Sequence, residues 1–464
     1  MASFEQAFTL QVPTAGNLAG HGLAILLLKL GVPVDLCEKL LITICIAGLA
    51  AAFRYAAMGV KSAHPAAGFF VLPFLYNWPL QMGFWSFSLG VPFLLVCVGL
   101  CLRYRGRWNG KNTTWLFVTV AAVYACHPID WAVCGVAVGA MTISAEWKSL
   151  LRGSNRRQSI VQTLIPLGVF VPFAIPNLLF AERNQSVQWD RLGSIRGLLW
   201  PIYTGTPVHL FEGDTRVAKL LFVFLLLLSL VNLGQQIIKR RVRYEDFVLL
   251  VSIALFAMGL ASPDRIGEGS YLEVRFLLFG YLTWVLWLGL TLTRGQLMIT
   301  TPVVIALSLW LMLARIPEWR AFSGDLAKVV RAGGIIEANS TVCQRDFSDG
   351  QQSINPMTHA IDLLSGKQII DVRDYEAGRF AFWTRFRPGY YFDEDYRAPS
   401  SLADFEGALE RFESRTGREL DYIVLTDMKA SPQESLQALL PSLANRYRLV
   451  SVSSPAVAVY RIRN

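Results

Sequence analysis

The short turn CHPID, residues 126–130, places a histidine and an aspartate between two strongly apolar runs of the chain. Placing an ionisable side chain at the edge of a membrane costs free energy, so a residue kept in such a position is a candidate for function. A carboxylate can act as the general base of a reaction, with a histidine beside it. The other interpretation is a solvated turn in which Asp130 caps the next helix. Both stay open, and Asp130 and His127 are the candidate catalytic residues.

A second polar stretch, LYNWPLQMGFWSFSLG at residues 75–90, also interrupts two apolar runs. Pro79 is expected to end a helix, and Trp78 suits the interface between lipid and water. Asn77 and Gln81 then meet water or a polar ligand. The stretch is either a tight hairpin with interfacial anchors or the wall of an outward-facing cavity, in which Asn77, Trp78 and Gln81 bind substrate.

Two further groups of charged residues lie near apolar runs. In SYLEVRF, residues 270–276, Glu273 and Arg275 stand at the start of such a run. An arginine there can bind a phosphate through two hydrogen bonds, pair with Glu273, or extend to the interface. The loop 182–215 holds an aromatic and charged set of the kind found in sugar sites, unless these are ordinary exposed loop charges: Trp189, Asp190, Arg191, His209, Glu212 and Asp214.

The composition is that of a membrane protein. Of the 464 residues, 53% are hydrophobic and only 17% are charged, against about 25% in an ordinary soluble domain. Residues 1–315 hold 25 Lys and Arg against 14 Asp and Glu, whereas residues 316–464 hold 18 against 20. A basic excess in the apolar part indicates cytoplasmic loops rather than a nucleic-acid partner. The seven cysteines form no CxxC pair, which argues against a zinc site or a disulfide framework.

Ten apolar runs are candidates for membrane-spanning helices, which need ~20 residues each. They cover residues 35–59, 65–77, 84–102, 113–127, 130–147, 158–181, 217–238, 246–261, 272–293 and 297–314. Three basic clusters, at residues 103–111, 148–157 and 239–243, are separated by pairs of these runs. All three therefore fall on one face, which their lysines and arginines mark as cytoplasmic. The opposite face receives residues 1–33, the two polar turns and everything after Ala314.

These patterns predict an α-helical polytopic membrane protein with about ten transmembrane helices, followed by a small soluble α/β domain. Residues 1–33 are expected to form an outer-face loop and amphipathic helix, residues 34–315 the transmembrane domain, and residues 316–464 the α/β domain. In that last part the sequence predicts strands at 335–339, 368–372, 421–427 and 449–462, the last divided by a turn at Ser454-Pro455. It also predicts a helix from the spacing of Leu402, Phe405, Leu409 and Phe412.

Several motifs together suggest a family. They are NLAGHGLAILLLKLGV at 17–32, which contains His21, EKLLITICIAGLAAAFRY at 38–55, the FLYNWPLQMGFWSFSLG stretch, the ACHP turn, VRF, and the closing DYIVL, RYRLV and VAVYRI. With these, the chain resembles the GT-C superfamily of multi-pass membrane glycosyltransferases. It is most similar to the poorly characterised bacterial branch that has a C-terminal periplasmic domain.

The resemblance implies an enzyme that transfers a sugar from a polyprenyl-phosphate donor to a glycan or lipid acceptor of the cell envelope. It implies a multi-pass protein of the bacterial inner membrane, with chemistry and C-terminal domain on the periplasmic face. An inverting transfer needs a carboxylate that deprotonates the acceptor, and a cationic group or a divalent metal that holds the leaving phosphate. Asp130 and His127 are then the catalytic candidates. The substrate-binding candidates are Asn77, Trp78, Gln81, His21, Glu273 and Arg275.

The start of the sequence departs from the family pattern. The family's catalytic carboxylate usually follows a first transmembrane helix, in the first outer loop. Residues 1–33 correspond to the end of that loop, and Glu5 is the only acidic residue before Asp35. We therefore expect the family's first helix to be missing from this sequence, and Asp130 to act as the substitute base.

Two other functions stay open beside the enzyme. A transporter of lipid-linked glycans would place charged residues deep within its spans and show paired repeats, whereas the centres of these apolar runs are almost free of charge. A catalytically silent scaffold in envelope glycan assembly would tolerate neutralisation of Asp130 and Glu273. An enzyme would lose turnover on the same changes.

Overall fold

The computed structural model describes most of the chain in two compact units. The described residues are 7–10, 16–60, 63–152, 156–183, 187–188, 195–240, 243–263, 265–266, 269–346, 357, 360–373, 384–387, 390, 402–426, 441, 444–453 and 457–463. The helical unit comprises Pro13–Arg315, and the sheet unit comprises Met1–Val12 with Ile316–Asn464. Residues 1–33, expected to form one part of the chain, therefore contribute to both units.

The helical unit is built from apolar helices joined mostly by short turns. They are α1 (Ala19–Lys29), α2 (Val34–Ala57), α3 (Trp78–Gln81), α4 (Trp85–Tyr104), α5 (Gly110–Cys126), α6 (Pro128–Arg152), α7 (Arg156–Gly168), α8 (Val171–Arg183), α9 (Ile195–Thr204), α10 (Thr215–Ile238), α11 (Asp246–Ala261), α12 (Leu272–Thr291) and α13 (Arg294–Ala332). Two 3-10 helices, Pro65–Phe74 and Glu212–Asp214, complete the described helices of this unit.

Six helical segments of the described chain are long and apolar enough to cross a membrane. They are Leu36–Ala57, Trp85–Tyr104, Pro128–Trp147, Glu212–Ile238, Leu272–Thr291 and Arg294–Ile335. The pair α7 and α8, bent by 46°, adds a seventh if it is one span. The ten expected spans are not confirmed. The run at 65–77 is a 3-10 helix of 10 residues that contains Pro73, and α5 and α11 have 17 and 16 residues, short of the ~20 that a span needs.

The centre of the helical unit is α12, which is buried along almost its whole length. After the charged residues near its start it is apolar all round, as expected for a helix that other helices surround. Farther along, polar groups form hydrogen bonds inside the protein: Ser252 Oγ of α11 donates to the Gly280 carbonyl at 2.8 Å, and Trp287 Nε1 donates to Asp246 Oδ1 at 3.0 Å. Helix α4 is the second buried helix of the unit.

The carboxyl ends of α2, α4 and α12 meet at one end of the unit, called the basic end below. There Arg103 Nη2 donates to the Tyr55 carbonyl at 2.5 Å, and the Arg105 guanidinium lies 4.0 Å above the Tyr244 ring. Arg243 Nη1 donates to the Thr291 carbonyl at 3.2 Å. Two of the basic clusters expected on one face, residues 103–111 and 239–243, therefore come together. The amino ends of α4, α6 and α12 meet at the opposite end, called the polar end.

The sheet unit is a three-layer α/β/α arrangement. Its elements are β1 (Phe8–Leu10), β2 (Thr341–Asp346), β3 (Ile370–Asp371), β4 (Thr384–Phe386), α14 (Leu402–Thr416), β5 (Tyr422–Thr426), β6 (Tyr447–Val452) and β7 (Val457–Ile462). The main sheet has the order β3-β2-β5-β7-β6, with β2 parallel to β3 and β5 and with β7 antiparallel to its neighbours. Ala408, Leu409 and Phe412 of α14 pack on one face, and Val329 and Ala332 of α13 pack on the other.

The sequence predicted much of this sheet but misplaced its first strand. The two closing strands and the helix that contains Leu409 are confirmed. The strand expected at 335–339 is wrong, because Gly333–Ile335 is a 3-10 helix and the strand begins at Thr341. The Ser454-Pro455 turn lies outside the described residues.

Candidate functional site

The most unusual side chain of the helical unit is the carboxylate of Asp130. It lies in the first turn of α6, is fully buried, and within the described chain neither oxygen has a hydrogen-bond partner. The expectation that Asp130 caps α6 is therefore wrong. A buried polar group without partners costs about 1–3 kcal/mol, more when it is charged. No hydrogen bond of the described chain explains why an acid stands here.

Gly90 of α4 makes the space that Asp130 occupies. A Cβ atom at position 90 would lie 1.8 Å from Asp130 Oδ2 and 3.1 Å from the Cβ of Cys126, so any other residue requires the carboxylate to move. A glycine inside a helix costs about 1 kcal/mol relative to alanine. Both residues of this contact therefore lower the stability of the fold: Gly90 weakens its helix, and Asp130 is buried without hydrogen bonds.

His127 and Arg275 form a hydrogen-bonded pair next to this turn. Arg275 Nη1 donates to His127 Nε2 at 2.7 Å, while His127 Nδ1 lies 3.2 Å from the main-chain nitrogen of Ile129. A neutral imidazole holds one proton and can accept only one of these bonds. Because a guanidinium can only donate, Arg275 is the donor and Nε2 the acceptor of the 2.7 Å bond. Burial, and then the charge of Arg275, hold the pKa of His127 well below its ordinary value, so the ring is neutral at pH 7.

Aromatic rings enclose the Arg275 guanidinium and keep water away from it. Its central carbon lies 4.6 Å from the Phe84 ring centre and 5.2 Å from that of Phe87, and the Phe87 ring also meets the edge of His127 at 5.7 Å. Arg275 and Glu273 are both buried in the first turns of α12, so Arg275 does not extend to an interface. Apolar surroundings strengthen the action of a charge on its neighbours, and the charge of Arg275 lowers the pKa of the neighbouring His127.

The segment before α1 covers the CHPID turn. Asn17 and Leu18 donate their main-chain N–H groups to the last carbonyls of α5 at 2.8 and 2.9 Å. Gly20 donates to Ser86 Oγ of α4 at 3.0 Å. His21 follows directly and is half-buried. The structure therefore places this sequence-predicted histidine on α1, the helix that closes over the amino end of α4.

The NWPLQ stretch forms a helix start rather than a helix end. Asn77 caps α3, since its Oδ1 accepts from the Leu80 N–H at 3.1 Å and its Nδ2 donates to the Phe74 carbonyl at 3.0 Å. Pro79 stands in the first turn of α3, where a missing N–H is harmless. The expectation that Pro79 ends a helix is wrong, and both amide atoms of Asn77 are used by the main chain. Gln81, the last residue of α3, is half-buried.

Trp78 links this stretch to Arg275. Its side chain is buried, its ring centre lies 4.9 Å from that of Tyr271 and 5.9 Å from that of Phe84, and Phe84 in turn contacts Arg275. Its main-chain N–H donates to the Pro207 carbonyl at 2.8 Å. Trp78 is thus a packing residue behind the Arg275 cluster rather than an exposed anchor.

Of the loop residues suggested for sugar binding, Asp214 has a structural role. Arg315 Nε donates to its Oδ2 at 2.7 Å, and the N–H groups of Leu210 and Phe211 also donate to this carboxylate. His209 Nε2 lies 2.7 Å from Thr215 Oγ1, and Glu212 is exposed. Trp189, Asp190 and Arg191 lie outside the described residues.

Sequence reasoning missed Gly90 and Arg315. Gly90 is the last residue of the polar stretch 75–90, and a glycine in an apolar helix often marks a close approach of another chain segment. Arg315 directly follows the predicted span at 297–314, and a single arginine that closes an apolar run is itself a candidate for a buried ion pair.

The described residues at the polar end carry few metal ligands. In the described part of the chain no three side chains from His, Cys, Asp and Glu converge, and the position beside His127 is taken by a cation, Arg275. The arrangement instead joins a carboxylate without partners to a fixed positive charge, a combination that serves proton removal and anion binding.

No family model, curated protein or solved structure matches the chain. The fold defines the class by itself: a mostly helical protein with six or seven helices able to cross a membrane, and a small sheet near its C-terminus.

Proposed function

We propose that the protein is an integral membrane glycosyltransferase. In this proposal it transfers a sugar from a polyprenyl-phosphate donor to a glycan or lipid acceptor of the cell envelope. The observation that carries the proposal is Asp130, a buried carboxylate without hydrogen bonds, which rests on Gly90 beside the His127–Arg275 pair. A carboxylate held in that state is a stronger base than a solvated one and is ready to accept a proton.

The residues divide the reaction between them. Asp130 takes the proton from the acceptor hydroxyl as its oxygen attacks the anomeric carbon of the sugar, and the bond between that carbon and the phosphate oxygen breaks with inversion. Arg275 stabilises the charge that develops on the leaving phosphate. His127, whose pKa is lowered, stays neutral and orients Arg275 without competing for the anion. Because Asp130 is buried, the acceptor reaches it only when the segment Asn17–His21 moves.

The proposal includes a location. The basic end faces the cytoplasm of a bacterial cell, because lysines and arginines concentrate there, and the polar end faces the periplasm with the C-terminal domain. The ten-span arrangement stays a prediction, since it needs short helices such as α5 and α11 to cross as well.

The test is sugar transfer by the purified full chain in proteoliposomes. The donors are a panel of radiolabelled polyprenyl-phosphate hexoses, and transfer to extracted envelope lipids and glycans is counted. Asp130→Asn is expected to lower the transfer rate at least about 100-fold, the contribution of a general base. Gly90→Ala, which displaces the carboxylate but keeps it, is expected to lower the rate as well. Glu146→Gln, at the basic end, is the matched control and keeps the unaltered rate.

The scaffold and the enzyme give opposite results here. A chain without donor-dependent transfer, or an Asp130→Asn variant that transfers at the normal rate, contradicts the proposal. Abundance and unfolding temperature of each variant in detergent separate a lost reaction from a lost fold.

A further inference from the structure

An apolar groove lies between α2, α4 and α5, on the surface of the helical unit. It encloses about 650 Å³. Gly48 and Pro92 form its floor, where the two helices approach so closely that a Cβ at position 48 would lie 3.4 Å from the proline ring. Phe93 and Trp115 stand on its rims and are 39% and 56% exposed, so the groove opens outward, where lipid surrounds a membrane-embedded helix.

The two ends of the groove differ in chemistry. Towards the polar end it stops at Leu89, which packs in a closed apolar cluster with Cys45, Leu80 and Cys126. Towards the basic end it is lined by Tyr55, Tyr104 and Trp115. Tyrosine and tryptophan side chains are typical of the level at which lipid headgroups lie. The mouth of the groove is therefore at the basic end.

Four cations lie at this end, in or beside the turn that joins α4 to α5. Arg103 lies 3.6 Å above the Tyr55 ring and donates to the carbonyls of Gly99 and Tyr55, which leaves its charge unneutralised. Arg105 lies against Tyr244. Arg107 and Lys111 are exposed, and Lys111 stands one helical turn before Trp115, on the same side of α5.

Two acids of the described chain approach these cations. Glu146 Oε1 would lie 2.3 Å from a Cβ atom placed at Gly106, and Glu245 lies beside Tyr244, the ring that Arg105 covers. Among the described residues, two carboxylates against four cations leave a positive excess beside an apolar groove, which is the composition of a site for an anionic headgroup.

We propose that this groove binds an anionic phospholipid. Its phosphate lies beside Arg107 and Lys111, and one acyl chain follows α4 towards Leu89. Lipid tails are as apolar as the groove walls, so the chain by itself does not select an occupant within a membrane. Selection comes from the cations, which attract anionic lipid headgroups on the cytoplasmic side.

This site is distinct from the one that contains Asp130. The lipid that carries a sugar donor must bring its phosphate to Arg275 at the polar end, whereas the cations of the groove stand at the basic end of the same helices. The proposal therefore holds whether or not the protein transfers sugar, and its test uses no transfer reaction.

The experiment reconstitutes the full chain in vesicles of equal phosphatidylglycerol and phosphatidylcholine, then extracts it in detergent and counts retained lipids by native mass spectrometry. The unaltered chain is expected to retain phosphatidylglycerol in preference to phosphatidylcholine. The double variant Arg107→Gln with Lys111→Gln is expected to retain on the order of 20-fold less, the effect of two cations near an anionic headgroup. Ala51→Phe, which fills the groove from an exposed position of α2, is expected to lower retention of the same lipid.

Matched controls separate the site from general effects. Lys29→Gln with Lys39→Gln removes two exposed cations elsewhere, and Ala132→Phe adds the same ring at an exposed position of α6; both are expected to retain lipid normally. The proposal is overturned if the Arg107 and Lys111 variant retains phosphatidylglycerol like its control, or if the unaltered chain retains both lipids equally. The proposal is also overturned if added inorganic phosphate releases the lipid, or if the retained species is a polyprenyl phosphate.

Discussion

Asp130 and Asp214 are two fully buried carboxylates in the same helical unit, and their surroundings differ sharply. Asp214 accepts from Arg315 Nε at 2.7 Å and from two main-chain N–H groups, which satisfies it as a structural anion. Asp130 has no hydrogen-bond partner in the described chain and rests against Gly90. Stability explains the first carboxylate and not the second. This contrast is why Asp130, and not the loop acid, carries the proposed reaction.

Acid pH is expected to destabilise the protein through His127. Burial and the charge of Arg275 lower the pKa of His127 well below its usual 6.5, so as the pH falls the unfolded chain takes up the proton first. The stability is present above about pH 6.5 and is lost below it, by about 1.4 kcal/mol at about pH 5.5. Unfolding temperatures in detergent between pH 7.5 and 5.5 measure this loss. His127→Gln, which keeps an acceptor but cannot titrate, should show a smaller pH dependence; equal slopes for the two proteins would contradict the assignment.

For single residues, the sequence was informative where a residue type is rare in its surroundings. His127, Asp130 and Arg275 were identified because ionisable side chains are uncommon in apolar runs, and the structure brings His127 and Arg275 into contact across 148 residues. The pairing itself was not predictable, because a single sequence does not show which helix ends meet. Gly90 escaped for the same reason, since its importance lies in an atom of another helix.

At the scale of elements, the Asp214–Arg315 pair fixes three pieces of chain together. Arg315 Nη1 donates to the Tyr76 carbonyl at 3.1 Å and its Nη2 donates to the Val208 carbonyl. The stretch before α3, the loop before α10 and the middle of α13 are therefore tied by one guanidinium. The Arg315 side chain is 1% exposed, so its removal leaves the buried carboxylate of Asp214 without its cation.

Breaking this pair is expected to be among the most destabilising changes in the helical unit. Asp214→Asn and Arg315→Met should each lower the free energy of unfolding by about 3–5 kcal/mol, measured by unfolding in mixed micelles. The double variant should lose clearly less than the sum of the two, because no charge is then left unpaired. Lys328→Met, which breaks the exposed pair with Asp325, is the control and should change stability by less than about 1 kcal/mol. Additive losses would show that the two residues act separately.

The elements that were misread share a physical cause. The run at 65–77 is apolar enough for a span, but Pro65 and Pro73 favour a tighter helix with fewer regular hydrogen bonds. The Ile335–Asn339 stretch has strand-forming residues, yet parallel pairing of Thr341–Asp346 with its neighbours sets where the strand begins. Hydrophobic periodicity predicts an element from its own residues, whereas these bounds depend on partners distant in sequence.

At the scale of the whole molecule, the helical unit has two chemically distinct ends. The length and direction of α13 show how far apart these ends lie compared with the thickness of a membrane. Helix α13 begins at Arg294 beside the basic end, and Arg315 binds Asp214 just before the start of α10. The helix rises about 32 Å between Arg294 and Arg315, which is close to the ~30 Å thickness of the hydrocarbon core of a bilayer. The chain therefore leaves the helical unit at the end opposite to the basic clusters.

This geometry makes the side of the C-terminus the decisive property of the whole protein. A reporter active only outside the cytoplasm, fused after residue 464, is expected to be active, and the same reporter in the 239–243 loop is expected to be silent. A cytosol-active reporter at the same two positions should give the reverse pattern. Activity in both places would mean that the basic end does not mark the cytoplasm. A silent C-terminal fusion would place Asp130 and Arg275 on the cytoplasmic side, where nucleotide-sugar donors need no lipid carrier, and the polyprenyl-phosphate proposal would fall.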